Sequence, residues 1–508
     1  MNLKTIMLAA LCLPCAAASA QTDSINYSAT VLAAASSGKF APYMNGSWNS
    51  GRLVEDKGLM LDLRAEKPVL TDRRFSWGAG VEIAAGIQSG SEYERWQADD
   101  DAWILHNEGQ APFRVIQAYA EARFRGVFIL AGMKEQNSAI VDSRLSSGDL
   151  VRSNNARPVP GCEIGFNDFQ NIPFTNGWVQ IEGRLMYGRM TDSKSKRERY
   201  NYYSLLLAED LWYTYKRCYF RTKPSMPLSI TVGMQAAGTF AGNTVYYTDG
   251  KFHSRSDRGF HLRDLWDMFF PNEGSGEGFY KGSSLGSWDF KARYRFADGT
   301  QLSAYFEWPW EDGSGIGRRN GWDGVWGLQY TAPRNGIIEK AVVEYLDFCN
   351  QSGPLHWAPH DRPGTTITTN DTGGDNYYNN DIYGPYANYG MSIGTPFLLS
   401  PLYNTNGCLW FMHSRTRGFH AAASGSIAPD WSYTMKVSYQ KAWGSGRLPL
   451  ATSLENTSAM LSASWTPSDR LKGFSAGCQL AFDAGSLRGN NFGAMLSVSY
   501  SGNFSLKK

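Results

Sequence analysis

Residues 288–296 read WDFKARYRF. On an extended backbone successive side chains point to opposite sides, so Trp288, Phe290, Ala292, Tyr294 and Phe296 share one face while Asp289, Lys291, Arg293 and Arg295 share the other. The pattern recurs many times along the chain, and no helical layer is available to cover the apolar faces. A barrel with lipid outside and a polar lumen accounts for this most simply. It has to close on itself, because hydrocarbon cannot satisfy an open sheet edge.

The alternation is clear in most segments. Ile116, Ala118, Ala120, Ala122 and Phe124 oppose Gln117, Tyr119, Glu121 and Arg123, and Val179, Ile181, Gly183, Leu185 and Tyr187 oppose Gln180, Glu182 and Arg184. Leu228, Ile230, Val232, Met234 and Phe240 form one face, as do Leu302, Ala304, Phe306 and Trp308. Tyr433, Met435, Val437 and Tyr439 oppose Thr434, Lys436, Ser438 and Gln440. The period blurs over 211–221 and 341–348, where a strand buried on both faces reads the same way.

Strand-like runs are joined alternately by short turns (66–73, 125–126, 171–177, 223–227, 298–299, 333–336, 428–430, 467–473) and by long segments (89–112, 134–161, 241–285, 307–321, 349–417). Asp298-Gly299 is a strong tight-hairpin signal. This asymmetry characterises outer-membrane barrels, with periplasmic turns short and extracellular loops long. About seventeen strands follow Asp56, and an even count requires one more within 25–53. The expected fold is therefore all-β, a transmembrane antiparallel β-barrel of about 18 strands whose long extracellular loops carry short plug helices. Sixteen strands would follow if a blurred run belonged to a loop.

The N-terminus supplies an address. Lys4 precedes an apolar run over 6–18 and the small residues Ala18-Ser19-Ala20, the order of a cleaved secretory signal, so residues 1–20 are expected to be removed and 21–508 to form the barrel. The residues preceding Cys12 and Cys15 lack the small side chain that lipid attachment requires. No later apolar run reaches the length of a membrane helix. The five cysteines beyond the signal, Cys162, Cys218, Cys349, Cys408 and Cys478, are odd in number and irregularly spaced, which argues against a disulfide framework. An aromatic content of 14% with a net charge of +2 suits lipid-facing girdles and not a nucleic-acid binder.

Several segments in a shared order resemble the capsule assembly protein Wzi family of Gram-negative outer membranes. They are Leu145-Ser146-Ser147-Gly148, Asn155-Ala156-Arg157-Pro158-Val159-Pro160, the run DFQNIPFTNGWV at 168–179, and Leu285-Gly286-Ser287-Trp288-Asp289-Phe290. Asn350-Gln351-Ser352-Gly353-Pro354, Asp375-Asn376-Tyr377-Tyr378-Asn379-Asn380 and Ile393-Gly394-Thr395-Pro396 follow. The resemblance spans nearly the whole mature chain. It implies an eighteen-stranded barrel plugged by loop-borne helices that holds capsular polysaccharide without chemical turnover. The ending Phe504-Ser505-Leu506-Lys507-Lys508 departs from barrels that finish on an aromatic residue.

Trp308, Trp310, Trp322 and Trp326 lie around one loop with Glu311, Asp312 and Asp323. Rings that stack on sugars beside carboxylates that accept hydroxyls would make a glycan platform, although an interfacial aromatic belt explains most of them and leaves the loop-tip Trp310 as the binder. The stretch 371–389 is dense in Asn, Asp, Gly and Tyr. Tyr377, Tyr378, Asn379, Asn380 and Tyr383 are polysaccharide-binding candidates there, or, with Tyr386, members of a self-packed loop closing the mouth. Leu262, Leu265, Trp266 and Phe269 stand at helical spacing and predict a plug or lid helix.

Chemistry has little support. His356 and His360 with Asp361 are interrupted by Pro359 and Pro363, which prevents the helix that would aim both rings at one metal. Asn370, Asp371 and Asp375 lack a calcium-loop pattern. No catalytic residue, metal or cofactor is expected, and an outer-membrane hydrolase assembled from separate strands is the third reading. The charges Glu121, Arg123, Glu182, Arg184, Asp289, Lys291, Arg293, Arg295, Glu307 and Lys436 face the lumen. They form either salt-bridge ladders or a water-filled path, in which Lys291, Arg293 and Arg295 would favour acidic glycans. The expected function is a non-enzymatic, monomeric outer-membrane barrel that anchors capsular polysaccharide, with lipid and the capsule export machinery as partners and no nucleic acid. A sugar or small-solute channel is the alternative, and occlusion discriminates the two.

Overall fold

The computed structural model describes residues 24–505, except 98, 110, 201–205, 271–281, 312–317, 354–355, 358–370 and 470. The expected signal at 1–20 and the start at Gln21 lie outside the described residues. Eighteen strands form one antiparallel barrel. They are β1 (Ser24–Phe40), β2 (Glu55–Lys67), β3 (Phe75–Gln88), β4 (Phe113–Phe124), β5 (Val127–Met133) and β6 (Gly161–Phe166). Next come β7 (Val179–Arg189), β8 (Trp212–Thr222), β9 (Leu228–Phe240), β10 (Gly282–Arg295), β11 (Gln301–Trp310) and β12 (Gly324–Thr331). The circuit ends with β13 (Lys340–Asp347), β14 (Thr416–Ala428), β15 (Trp431–Gly444), β16 (Pro449–Trp465), β17 (Phe474–Gly485) and β18 (Asn491–Ser505). Each pairs with its sequence neighbour, and β1 closes on β18 from Ser24↔Ser505 to Ser36↔Gly493. Closure pairs the two terminal strands with each other, so the barrel has no open edge.

The outer wall is apolar along its length. Leu59, Leu61 and Leu63 on β2, Val343 on β13, Leu461 on β16 and Leu496 and Val498 on β18 are 39–56% exposed. Among the described residues no helix is long and apolar enough to cross a membrane. All short turns gather at one end of the barrel. At Asp298-Gly299 the glycine adopts φ +91°, and the aspartate Oδ1 accepts the Thr300 amide.

Both blurred segments are strands, β8 and β13, each carrying apolar or aromatic residues on both faces. Tyr213, Tyr215 and Tyr219 of β8 are buried inward. The first strand begins at Ser24 and ends at Phe40, while 41–54 folds into the lumen with a one-turn helix, α1 (Tyr43–Gly46).

One side-chain assignment differs from the alternation. Ile83 pairs with Val115 while Glu82 pairs with Gln117, so a bulge absorbs Ile116 and turns it inward onto Met60 and Ala84, fully buried. Phe240 does lie on the outer face, yet it is fully buried. Its cover is a helix, α3 (Leu262–Phe269), through Met268 and Leu265. The spacing of this segment predicts a helix, which is present, and a plug or lid, which it is not. It packs against the outside of the wall, since its contacts Tyr187, Trp212 and Phe240 all sit at outward positions. A seven-residue helix, α2 (Ser193–Arg199), lies between β7 and β8.

Candidate functional site

An eighteen-stranded bore is wide enough for an aqueous channel unless something fills it. Here three loops do: 41–54, 134–160 and, among the described residues of 348–415, the parts 348–353 and 371–415. Their apolar residues Leu150, Val151, Phe348, Tyr377, Tyr378, Tyr386, Ile393, Phe397, Leu398 and Phe411 merge with the inward wall residues Tyr213, Tyr215, Leu285, Tyr305, Val325 and Leu346 into one buried cluster. The plug is therefore a hydrophobic core enclosed by the barrel.

Polar contacts tie it to strands around the wall. The Leu145 carbonyl bonds the His420 ring on β14, the Ser147 amide donates to Glu344 on β13 at 2.7 Å, and the Leu150 amide donates to Glu307 on β11. Gln235 on β9 donates to Asp149 at 2.9 Å, and the Lys291 ammonium on β10 donates to the Ile140 carbonyl. Gln440 on β15 donates to the Phe397 carbonyl, the Tyr43 amide donates to Asp483 on β17, and Lys436 lies 3.8 Å above the Trp48 ring. On the opposite side Arg114 of β4 donates to the Gly51 carbonyl.

Arg52 is the hub of that side. Its guanidinium pairs with Asp62 at 3.1 Å, with Glu135 at 2.8 Å and with the buried Glu82. Burial pushes Glu135 up, but the Arg52 charge and the Ser50 hydroxyl outweigh it and hold the carboxyl below its ordinary range. A planar fork of donors can serve three carboxylates at once.

The structure places the candidate lumen charges as follows. Glu121 pairs with Lys134, while Glu182 pairs with Arg184 and Arg217; Arg184 reaches Glu163, which also holds the plug residue Arg152. Asp289 accepts the Tyr219 hydroxyl, Glu307 and Lys291 hold plug backbone, and Lys436 sits over Trp48. Arg123, Arg293 and Arg295 donate to the turn carbonyls of Arg125, Pro224 and Ser225. Lys291, Arg293 and Arg295 thus bond backbone carbonyls of plug and turns.

The glycan candidates do not form an exposed platform. Trp310, Tyr377, Tyr378 and Tyr383 are buried, each at 6% exposure or less. Tyr377 donates to Asp323, and Tyr378 donates to the Leu150 carbonyl. Asn379 bridges Asn376 and Phe411, and Asn380 caps its own turn by accepting the Ile382 and Tyr383 amides. The loop-tip exposure that sugar stacking needs is corrected: Tyr377, Tyr378 and Tyr383 join the buried cluster of a self-packed loop, the alternative reading of that stretch, while the Trp310 ring packs over Gly286 of the wall. Trp308, Trp322 and Trp326 stack with Phe306 on the outer wall, with Phe306 and Trp326 3.8 Å apart. The side chains of His356, His360, Asp361, Asn370 and Asp371, and Asp312, lie outside the described residues; Asp375 accepts the Ser352 hydroxyl. Among the described residues no group of three potential metal ligands converges.

Sequence reasoning missed the aromatic residues of the crown. Two hairpins, one of Ser91–Gln97 with Ala102–Glu108 and one of Gly242–Thr248 with Lys251–Arg258, stand at the long-loop end. Trp96 and Trp103 face each other at 5.5 Å, the Trp96 indole donates to the Asp249 carbonyl, and Trp103 is 48% exposed. The signal was present as alternating residues on either side of Asp99-Asp100-Asp101, but local pattern does not separate a hairpin standing above a barrel from an irregular loop.

Asp323 anchors the large plug loop. It accepts the amides of Asn350 and Gln351 and the Tyr377 hydroxyl at 2.8–3.0 Å, yet burial pushes its carboxyl up to about 6. The folded protein therefore holds this proton more tightly than the unfolded chain, and Asp323 subtracts stability as pH rises from about 4 to about 6. Relative to wild type, Asp323→Asn should gain up to about 2 kcal/mol between pH 4 and pH 7, because each tenfold difference in proton affinity between the folded and unfolded chain is worth about 1.4 kcal/mol. Chemical unfolding at both pH values measures it, and a difference flat with pH would show that the carboxyl does not titrate there.

No family model matches the chain, and no curated protein matches it in sequence. Among solved structures it is similar to Wzi of Escherichia coli, described as a carbohydrate-binding β-barrel involved in group 1 capsule assembly. The identity is 13%, the match covers 99% of this chain and 87% of that one, and the TM-score is 0.56. OccAB2 of Acinetobacter baumannii (9% identity, 95% and 98% covered, TM-score 0.47) and OprD of Pseudomonas aeruginosa (11%, 96% and 98%, 0.43) share the barrel more loosely. At these identities the likeness establishes the fold, a large closed barrel of the outer-membrane type.

Proposed function

We propose that this protein is a plugged, non-enzymatic outer-membrane barrel that retains capsular polysaccharide at the cell surface, with its long-loop end outside. The observation that carries the reading is occlusion. A diffusion channel needs a bore, whereas this lumen is filled by a core bonded to strands on all sides of the wall. The likeness to a carbohydrate-binding barrel of similar size supports it. With the tyrosines of 377–386 buried, glycan contact falls to the crown, where Trp96 and Trp103 offer aromatic surface near charged residues such as Glu92 and Glu94. The capsule export machinery is the partner that would deliver the polymer.

The test is deletion of the gene in an encapsulated host, scoring attached against shed polymer, with complementation by wild type and by Trp96→Ala/Trp103→Ala. Deletion should shed capsule and wild type restore it. The double variant should fold, as heat-modifiable migration shows, and retain less polymer. Each ring should contribute about 0.5–1.5 kcal/mol, multiplied along a repeating chain. Unchanged attachment in the deletion strain would overturn the proposal.

A further inference from the structure

Lys216 presents a problem that the barrel alone does not solve. On β8 the inward positions are odd-numbered, shown by Tyr213 meeting the plug residue Tyr386 and by Arg217 meeting Glu182. Lys216 therefore points out of the wall, in the row that includes Cys218 and the exposed Phe220. Its ammonium is bonded there by the carbonyls of Met268 at 2.8 Å and Phe269 at 2.5 Å, from the last turn of α3. Those carbonyls lack partners within the helix and carry its negative dipole end, so one cation satisfies both.

The wall is shaped to receive this helix. Outward positions on β9 and β10 are small: Ala236, Gly238, Gly282 and Ser284. A Cβ on either Gly238 or Gly282 would stand 2.8 Å from the Met268 side chain, so bare backbone is what lets Met268 seat. Tyr187 donates to the Leu265 carbonyl at 2.6 Å, and Phe260 stacks on Trp212 at 4.1 Å just before the helix begins. The N-terminus is closed by a capping box of His261 and Asp264.

With that side docked, the helix presents the opposite edge. Leu262, Trp266 and Phe270 follow at intervals of four and are 79%, 64% and 49% exposed, while Arg263 beside them pairs with Asp267. We infer that α3 is an interfacial anchor, docked on the outer wall with its Leu262–Trp266–Phe270 edge lying in the membrane leaflet at the long-loop end. The apolar edge continues the exposed wall of Val232 and Phe290 below it, so one lipid phase wets both. Aromatic residues on such an edge suit the headgroup boundary. The inference rests on the barrel's spanning a membrane.

Nitroxide labels test it in the full-length protein, cysteine-free and reconstituted in phospholipid vesicles, by collision with oxygen against a water-soluble nickel chelate. Labels at Leu262→Cys and Trp266→Cys should show an oxygen-to-nickel ratio several-fold above that at Arg263→Cys. Val232→Cys on the bare wall is the control: lipid exposure there with nickel-dominated collisions at 262 and 266 would overturn the anchor while leaving the barrel in the membrane. Low collision rates with both reagents at 262 and 266 would also overturn it, since protein would then cover the edge. Water exposure at Val232 itself would instead overturn the membrane reading. The labelled sites are exposed, so the substitutions leave the packed side intact.

Discussion

Replacing residues 376–412 with a short Gly/Ser linker should convert a silent barrel into one of steady, large conductance in planar bilayers. The deleted segment holds Tyr377, Tyr378, Tyr386, Phe397, Leu398 and Phe411, which fill the centre of the lumen, whereas the strands that build the wall are paired with one another independently of it. With its centre emptied, an eighteen-stranded bore leaves an aqueous passage beside the two remaining plug loops. The wild-type protein should show no steady current, and the excised form should conduct ohmically while keeping heat-modifiable migration. A wild-type current comparable to that of the excised form would remove the occlusion argument and favour a solute channel.

Arg52→Ala should be the most damaging single substitution in the plug, costing about 3–5 kcal/mol, as expected when one partner of a buried ion pair is removed and the other is left uncompensated. Glu82 and Glu135 would lose their shared cation and Asp62 would lose a hydrogen bond, while the Asn49 carbonyl would lose one of its two donors and keep the amide of residue 52. Because segment 41–54 closes one side of the lumen, the variant should unfold at lower denaturant and show flickering conductance before the wall melts. Arg52→Lys should recover only part of the loss, since one ammonium cannot present the same fork. An Arg52→Ala protein as stable and as silent as wild type would mean that the network is incidental to plugging.

Much of the barrel was legible from WDFKARYRF and its repeats. Lys291 and Asp289 had to face away from Phe290 in any strand, and the turn at Asp298-Gly299 sits where the dipeptide placed it. Legibility failed wherever a long-range partner outweighed local pattern. Tyr377 and Tyr378 read equally as sugar-stacking loop residues and as packing, and only the approach of Asp323 and the Leu150 carbonyl buries them. Ile116 keeps step with Ala118 in sequence, but a bulge opposite Glu82 reverses it. Trp96 and Trp103 went unnoticed because their hairpin pairs above the barrel and not within it.

Period-two alternation, turn chemistry and the absence of a long apolar helix are local properties, and a strand displays them whatever its neighbours do. They determined a closed antiparallel barrel, its approximate strand number and the inward direction of its charges. The side of the wall on which each loop folds is a different kind of question, because an amphipathic segment such as 262–269 has an apolar face that suits a lumen core, an outer wall or a lipid surface equally. Tertiary structure decided it through Lys216, Gly238 and Gly282, residues distant in sequence that offer a cation and bare backbone on the outside. The plug was decided in the same way, by buried groups such as Arg52, Glu307 and Glu344, whose partners come from other segments of the chain and whose burial is tolerable only when those partners arrive.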